Sequence, residues 1–400
     1  MSMPLFSNIR LSPLDPVVIS FEAFLADQRA SKINLGVGMY YDDRGAIPLM
    51  KAVQRADAIL AEKPKPWGYI PVEGLPDFRR GAERLVFGED SSAVLEGRVV
   101  LLQTIGGTGA IRLGSDLLRE LAPNAKVAVS DPSWPNHPPI FEASGFEVIT
   151  YPYYDAQVAG LDFDGMIQAF RNFAPGTIVV LHACCHNPTG VDLSMAQWRE
   201  VAAVIAERGL VPFVDLAYQG FGVGIDDDAA PVRLLADIGV PLLVSISFSK
   251  SFALYGERVG ALAVVASSAP EGARLMGQIK NIIRAQYSTA PTHGASIVGM
   301  VLNTAELETL WRDELDSMRA RIATMRDGLA ERLRGANGQD FSAIARQRGL
   351  FSYSGLSQSQ VAALKNDHAL YALDTGRICM AAVNSGNIDK VADAIKRVTS

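Results

Sequence analysis

From about residue 100 to 270 the chain alternates short apolar runs with longer stretches of helical spacing. The apolar runs are VVLLQTI (99–105), KVAVSDPSW (126–134), TIVVLHACC (177–185), LVPFVDLAY (210–218), LLVSISFS (242–249) and GALAVVA (260–266). They are short, continuous and rich in β-branched residues, which is the pattern of strands buried on both faces. The intervening stretches, such as GTGAIRLGSDLLRELA and AQWREVAAVIAERG, carry apolar residues at helical spacing. That order predicts an α/β fold with a mainly parallel sheet and helices on both sides. From 295 to 335 the pattern reads as one long helical register, and a short helix is expected at about 16–29. The last 65 residues return to mixed strand and helix: GLFSYSG, RICMAAV and NIDKVADAIKRV. We expect a second, smaller domain there, joined by the N-terminal 45 residues.

Composition narrows the class. The chain has 400 residues, 48% hydrophobic and 20% charged, as in an ordinary globular protein with more than one core. A net charge of −6 argues against a nucleic-acid partner, which needs a basic face. No apolar run approaches a membrane span, and the N-terminal stretch has no basic segment followed by an apolar one. Three cysteines, two of them adjacent, suggest reduced thiols and a cytoplasmic protein. No CxxC occurs and the five histidines are scattered, so no metal site is expected.

In such sheets ligands bind beyond the carboxyl ends of the strands, so the residues just after each strand are the ones to search for chemistry. GGTGA (106–110) opens a helix, where backbone N–H groups favour an anion such as phosphate. On its own it is more often just a tight turn, and it falls short of the dinucleotide fingerprint GxGxxG. HNPTG (186–190) is a turn former, but Asn187 could donate to a ligand oxygen. Asp215 ends an apolar strand, where a carboxylate needs a cation or donors; a cap or a structural salt bridge is the plainer reading. Tyr218 could face the same cleft. Lys250, in SFSKSFALYGERVG, comes after a buried strand among Ser247, Ser249 and Ser251. Burial and a neighbouring cation lower an amine's pKa and make it a nucleophile toward aldehydes. Arg258 would be that cation, and it also suits a phosphate. A phosphate, a ring cation, a phenolic oxygen and an aldehyde are together the features of pyridoxal 5'-phosphate, whose expected protein partners are a Schiff-base lysine and an acidic residue at the ring nitrogen.

The ordered set QTIGGTGAIR, DPSWPNH, HACCHNPTG, DLAYQGFG, SFSKSFALYGERVG, IIRAQYS, GLFSYSGL and GRICM resembles class I aminotransferases of fold type I, most of all the bacterial aromatic (tyrosine) and aspartate enzymes. The likeness runs from about residue 5 to 398. It implies a large domain (46–317) with a mainly parallel seven-stranded sheet sandwiched by helices, and a smaller α+β domain (1–45 with 318–400). It implies that Lys250 bonds the cofactor aldehyde and shuttles a proton, and that Asp215 keeps the ring nitrogen protonated. Tyr218 and Asn187 would bond the ring oxygen, Trp134 would stack on the ring, and His137 would support Asp215. Gly107, Thr108, Ser247, Ser249 and Arg258 would hold the phosphate, with Tyr69 reaching the phosphate of a partner subunit in a homodimer with shared active sites. On the substrate side the resemblance implies Gly38, Trp134, Asn187 and Arg377, the last pairing the α-carboxylate, and Arg284 from the partner for a side-chain carboxylate.

The stretch LGVGMYYDDRGAIPLM (35–50) resembles the segment that closes over substrate. Met39, Tyr41 and Ile47 make it less polar than in strict aspartate enzymes, which favours aromatic amino acids plus dicarboxylates, with 2-oxoglutarate as acceptor, over aspartate alone. Two departures stand out. Thr289 and Ala290 replace the usual pair beside the specificity arginine, and RICMAAVN lacks a glycine after its alanine. A β-decarboxylation or β-elimination on the same site is the second enzyme reading. A regulator built on this fold would carry a DNA-binding extension, and only about 15 residues precede the first helix. A nicotinamide dehydrogenase is disfavoured by the absent GxGxxG.

Overall fold

The computed structural model describes residues 6, 9, 15–62, 66 and 68–400. Most of the first 14 residues expected in the small domain, and Trp67 of WGYIPVEG, lie outside the described residues.

The central sheet has seven strands: β1 (Val99–Ile105), β2 (Lys126–Asp131), β3 (Glu147–Pro152), β4 (Ile178–His182), β5 (Val211–Leu216), β6 (Leu242–Ser247) and β7 (Val259–Val265). Their spatial order is β1-β7-β6-β5-β4-β2-β3. The β6-β5-β4-β2-β3 pairings are parallel, and β7 runs antiparallel to both β1 and β6. Six of these strands are the apolar runs read from the sequence. The seventh, β3, is an edge strand with only Tyr151 fully buried, so it lacks the continuous apolar run of an inner strand. Every residue of β4, β6 and β7 is buried, as a sheet covered on both faces requires.

Two helical expectations need correction. The register read as continuous from 295 to 335 is two helices, His293–Leu302 and Ala305–Arg332, broken at Asn303 and Thr304. The Asn303 side chain folds back and donates to Gly299 O and Asp77 O, as short amides do at helix ends. The first helix spans Pro16–Ala26, stopping at Asp27 rather than continuing to 29; the Asp15 side chain caps its start.

Toward the C-terminus, Phe351–Tyr353 pairs antiparallel with Arg377–Cys379, and Ile388–Val398 is a helix. N-terminal residues Ile33–Asn34 pair in parallel with Leu370–Tyr371, which joins the two ends of the chain. Among the described residues no helix is long and apolar enough to cross a membrane.

Candidate active site

A cavity of about 230 Å³ opens at the carboxyl ends of β4, β5 and β6. Its floor comes from the sheet. Adjacent strands β5 and β6 place Asp215 beside Ser245 in register, and the Ser245 hydroxyl donates to Asp215 Oδ1 at 3.0 Å. His137 Nε2 lies 3.2 Å from Asp215 Oδ2, and its Nδ1 lies 3.0 Å from Ser133 Oγ. Burial alone would raise the Asp215 pKa, but the hydrogen bond and charge of His137, with His182 and Ser245, hold it below the usual carboxylate value. Both Asp215 oxygens are thus bonded on the protein side and retain lone pairs toward the cavity.

Lys250 lies in the turn after β6, with Nζ 4.9 Å from the centre of the Tyr218 ring. Burial pushes its pKa down to about 8; Arg258 and Arg377 push the same way and Asp215 opposes them. Burial also raises the Tyr218 hydroxyl pKa, so that side chain stays protonated and available as a donor.

Another part of the cavity has features that suit an anion. The helix Gly106–Leu121 starts directly after β1, and Gly107 and Thr108 of its first turn line the cavity, presenting N–H groups without helical acceptors. A Cβ on Gly106 would lie 2.6 Å from Arg258 Nη2, and one on Gly107 would lie 3.0 Å from Ser247 Cβ, so only glycines leave this cradle open. Arg258 adopts a left-handed backbone (φ 55°). Its Nη1 donates to Ser249 Oγ at 3.3 Å and to Tyr255 O at 3.0 Å.

Arg377 reaches the cavity from the C-terminal strand and is only 2% exposed. Its Nη1 donates to Asn187 Oδ1 at 3.0 Å, its Nη2 to Gly36 O at 2.6 Å, and its guanidinium lies 4.1 Å over the Phe351 ring. Its Nε has no partner among the described residues, and neither bonded oxygen belongs to a carboxylate. A buried cation in this state calls for an anionic ligand. Asn187 uses its oxygen on Arg377 and keeps its amide N–H groups for another acceptor. Gly38 packs so closely on Phe351 that a Cβ would lie 2.6 Å from Cζ.

Gly38, Gly107, Thr108, Trp134, Asn187, Asp215, Tyr218, Ser247, Ser249, Lys250, Arg258 and Arg377 therefore line one cavity. Trp134 stands edge-on to His137, with ring centres 5.2 Å apart. Tyr69 and Arg284 do not line it. Tyr69 is 96% exposed, and Arg284 ends the helix Ala269–Gln286 on the surface, bonded to the Ser288 hydroxyl. Ile47 is exposed and Ala290 is buried.

Sequence reasoning missed Tyr255, Phe351 and His182, which also line the cavity. Tyr255 and Phe351 stand inside the quoted motifs, but nothing in their spacing distinguishes them from core aromatics. His182 is buried with neither ring nitrogen bonded among the described residues, and burial drives its pKa down to about 3, aided by His137. The fold also brings the ligand atoms of His137, His182 and Asp215 within 4.8 Å of one another, a grouping that sequence spacing did not show. His137 and Asp215 already bond each other there.

A family profile for aminotransferase class I and II matches residues 30–395. The aspartate aminotransferase of Pseudomonas aeruginosa is 52% identical over 99% of this chain and 100% of its own. The aromatic-amino-acid aminotransferase of Escherichia coli K12 is 42% identical over 98% of this chain and 100% of its own. A crystal structure of the Burkholderia pseudomallei aromatic-amino-acid aminotransferase, covalently bound to pyridoxal phosphate, superposes with a TM-score of 0.97 at 53% identity, covering all of both chains. With an amine, a carboxylate and an anion cradle converging in one cavity, and with these relatives along its whole length, the chain belongs to the class I and II aminotransferases.

Proposed function

We propose that this aminotransferase uses pyridoxal 5'-phosphate to move the amino group of an aromatic amino acid, tyrosine or phenylalanine, and of aspartate as well, onto 2-oxoglutarate. The products are the 2-oxo acid and glutamate, formed in two half-reactions. One observation carries the reading: a lysine amine of lowered pKa, an aspartate held ionised and a buried arginine with no carboxylate partner among the described residues line one cavity.

The residues fit the cofactor. The Gly106–Gly107 cradle would fill if either glycine had a Cβ, and it is the place for the phosphate, held by Gly107, Thr108, Ser247, Ser249 and Arg258. Asp215 would serve the ring nitrogen, Asn187 and Tyr218 the ring oxygen, and Trp134 the ring plane. When bound, the cofactor supplies an electron sink for the bonds at the substrate Cα. Asp215, kept ionised by His137 and Ser245, would hold a proton on the ring nitrogen. Arg377 binds the α-carboxylate with two parallel hydrogen bonds and so fixes the Cα–H direction. Lys250 Nζ takes the Cα proton; with a pKa of about 8 it is basic enough to accept it and neutral often enough to act near physiological pH.

We further infer a large domain over 46–317 and a small one from 1–45 with 318–400. The pairing of Ile33–Asn34 with Leu370–Tyr371 supports it. We read the protein as a homodimer in which Tyr69 and Arg284 serve the neighbouring site; both are exposed and outside their own cavity. Three buried free cysteines support a reducing compartment, the cytoplasm. A strict aspartate enzyme is the second reading, favoured by the name of the Pseudomonas relative.

The test is a substrate panel. Phenylalanine, tyrosine, tryptophan and aspartate are each supplied with 2-oxoglutarate and glutamate is measured. We expect glutamate from the aromatic substrates and from aspartate; aspartate alone would establish the second reading. Lys250→Ala should lower turnover by at least about 10³-fold, and a variant with normal turnover would overturn the assignment.

A further inference from the structure

The segment 35–50 passes along the cavity, which Gly38 lines, and most of its ties run to the C-terminal part of the chain. Gly36 O accepts from Arg377, and Leu35 O accepts from the Cys379 N–H at 2.7 Å. Tyr40 Oη accepts from Arg321 Nε at 2.8 Å, and Arg321 also donates to the carbonyls of Ala381 and Val383. One bond runs the other way. The backbone N–H of Tyr40 donates to Tyr255 Oη at 2.8 Å.

Tyr255 stands in the short turn between Lys250 and Arg258 and lines the same cavity. Its carbonyl accepts from Arg258 Nη1 at 3.0 Å. A single residue therefore touches the anion-binding arginine through its main chain and the substrate-side segment through its side chain. Tyr40 is 4% exposed and outside any strand or helix, so its N–H has no ladder partner to fall back on if the tyrosine hydroxyl is removed.

We propose that Tyr255 is a positioning residue that couples the two halves of the site: an anion seated on Arg258 steadies the turn, and the Tyr255 hydroxyl passes that order to the segment carrying Gly38. The inference rests on reading 35–50 as the substrate-side segment, but its main test needs no substrate and is independent of which amino acid is used. Amide hydrogen exchange at Tyr40 reads the bond directly. In the cofactor-loaded protein, Tyr255→Phe should speed exchange at Tyr40 by about tenfold, the loss of one hydrogen bond to a buried donor. Adding pyridoxal phosphate to cofactor-free wild type should slow that exchange about fivefold, and less than twofold in Tyr255→Phe. In turnover the variant should raise KM for the amino acid about fivefold while kcat falls less than twofold.

Tyr40→Phe is the control. It removes the acceptor of Arg321 but keeps the Tyr40 N–H bond to Tyr255, so exchange at residue 40 should stay within about twofold of wild type. Unchanged exchange at Tyr40 in Tyr255→Phe would overturn the proposal. So would equal acceleration in Tyr40→Phe, which would place the hold on the segment in Arg321 instead.

Discussion

Two arginines are proposed to bind the two carboxylates of a dicarboxylic substrate, and they are built differently. Arg377 is buried on a strand, bonded to Asn187 and Gly36 and packed flat on Phe351. Arg284 is exposed at the last turn of a helix and bonded to one hydroxyl, that of Ser288. On that proposal, the group common to every amino acid would meet a guanidinium already held by its neighbours, so little entropy would be lost on binding. The group that varies between aspartate and an aromatic amino acid would meet one that is exposed and held by the Ser288 hydroxyl. On this proposal, dual specificity would result from a buried, many-bonded arginine at one end and an exposed, lightly held one at the other.

This division of labour between the arginines is open to four measurements. The largest effect belongs to the fixed arginine. Arg377→Ala should lower kcat/KM by roughly 10³-fold for aspartate and phenylalanine alike, as expected for a buried charge pair to ligand; a loss confined to one substrate would contradict its common role. The next concerns Lys250, whose pKa is lowered by burial first, then by Arg258 and Arg377, but not by Arg284. Its folded pKa of about 8 lies below the ordinary lysine value of 10.5, so the neutral amine is favoured by folding. The stability this contributes is fully present above pH 10.5 and is lost as pH falls through about 8. At pH 7 the neutral fraction should exceed that of a free lysine by about 300-fold. The rate at which unphosphorylated pyridoxal captures the cofactor-free protein should therefore rise with a midpoint near pH 8. That midpoint should climb in Arg377→Ala and hold in Arg284→Leu.

Third, Arg284→Leu should cost aspartate about 30-fold in kcat/KM and leave phenylalanine within about threefold, measured on one enzyme preparation. Equal losses would mean that Arg284 does not discriminate. The smallest effect is Ser288→Ala, which removes the one side-chain bond of Arg284 among the described residues. The aspartate KM should shift about fivefold with phenylalanine unaffected; no shift would mean that the hydroxyl does not hold the guanidinium at all.

Much of this was legible in the sequence where burial is uniform. The inner strands β4, β6 and β7 are buried throughout and largely apolar, and the polar residues just beyond β4 and β6, Asn187, Ser249 and Lys250, announce themselves by contrast. Asp215 does so from inside β5. Edge strand β3 was not placed from the sequence, where the family resemblance implied only that a seventh strand exists, because Glu147, Thr150 and Pro152 break the apolar run where solvent touches the strand. The break at Asn303 and Thr304 was hidden because both flanking helices keep apolar spacing, and only the Asn303 side-chain bonds reveal the interruption. Tyr255 and Phe351 could not be singled out for a different reason. Their roles depend on Arg258, Tyr40, Gly38 and Arg377, which are distant in sequence or joined only by a turn, and no periodicity encodes such contacts.

The reversal of β7 has a consequence for the order in which the site is assembled. Because β7 runs antiparallel to β6, with Gly260 opposite Ser247, Lys250 and Arg258 sit in the loop of one local hairpin. Such short-range pairs close quickly, whereas contacts of high sequence separation wait for loop closure. The bond between Asn187 and Arg377 spans 190 residues. During synthesis the hairpin that carries Lys250 and Arg258 is therefore complete well before Arg377 has left the ribosome. A chain truncated before Arg377 would hold the local elements proposed to anchor the cofactor while lacking the residue proposed to bind the substrate α-carboxylate.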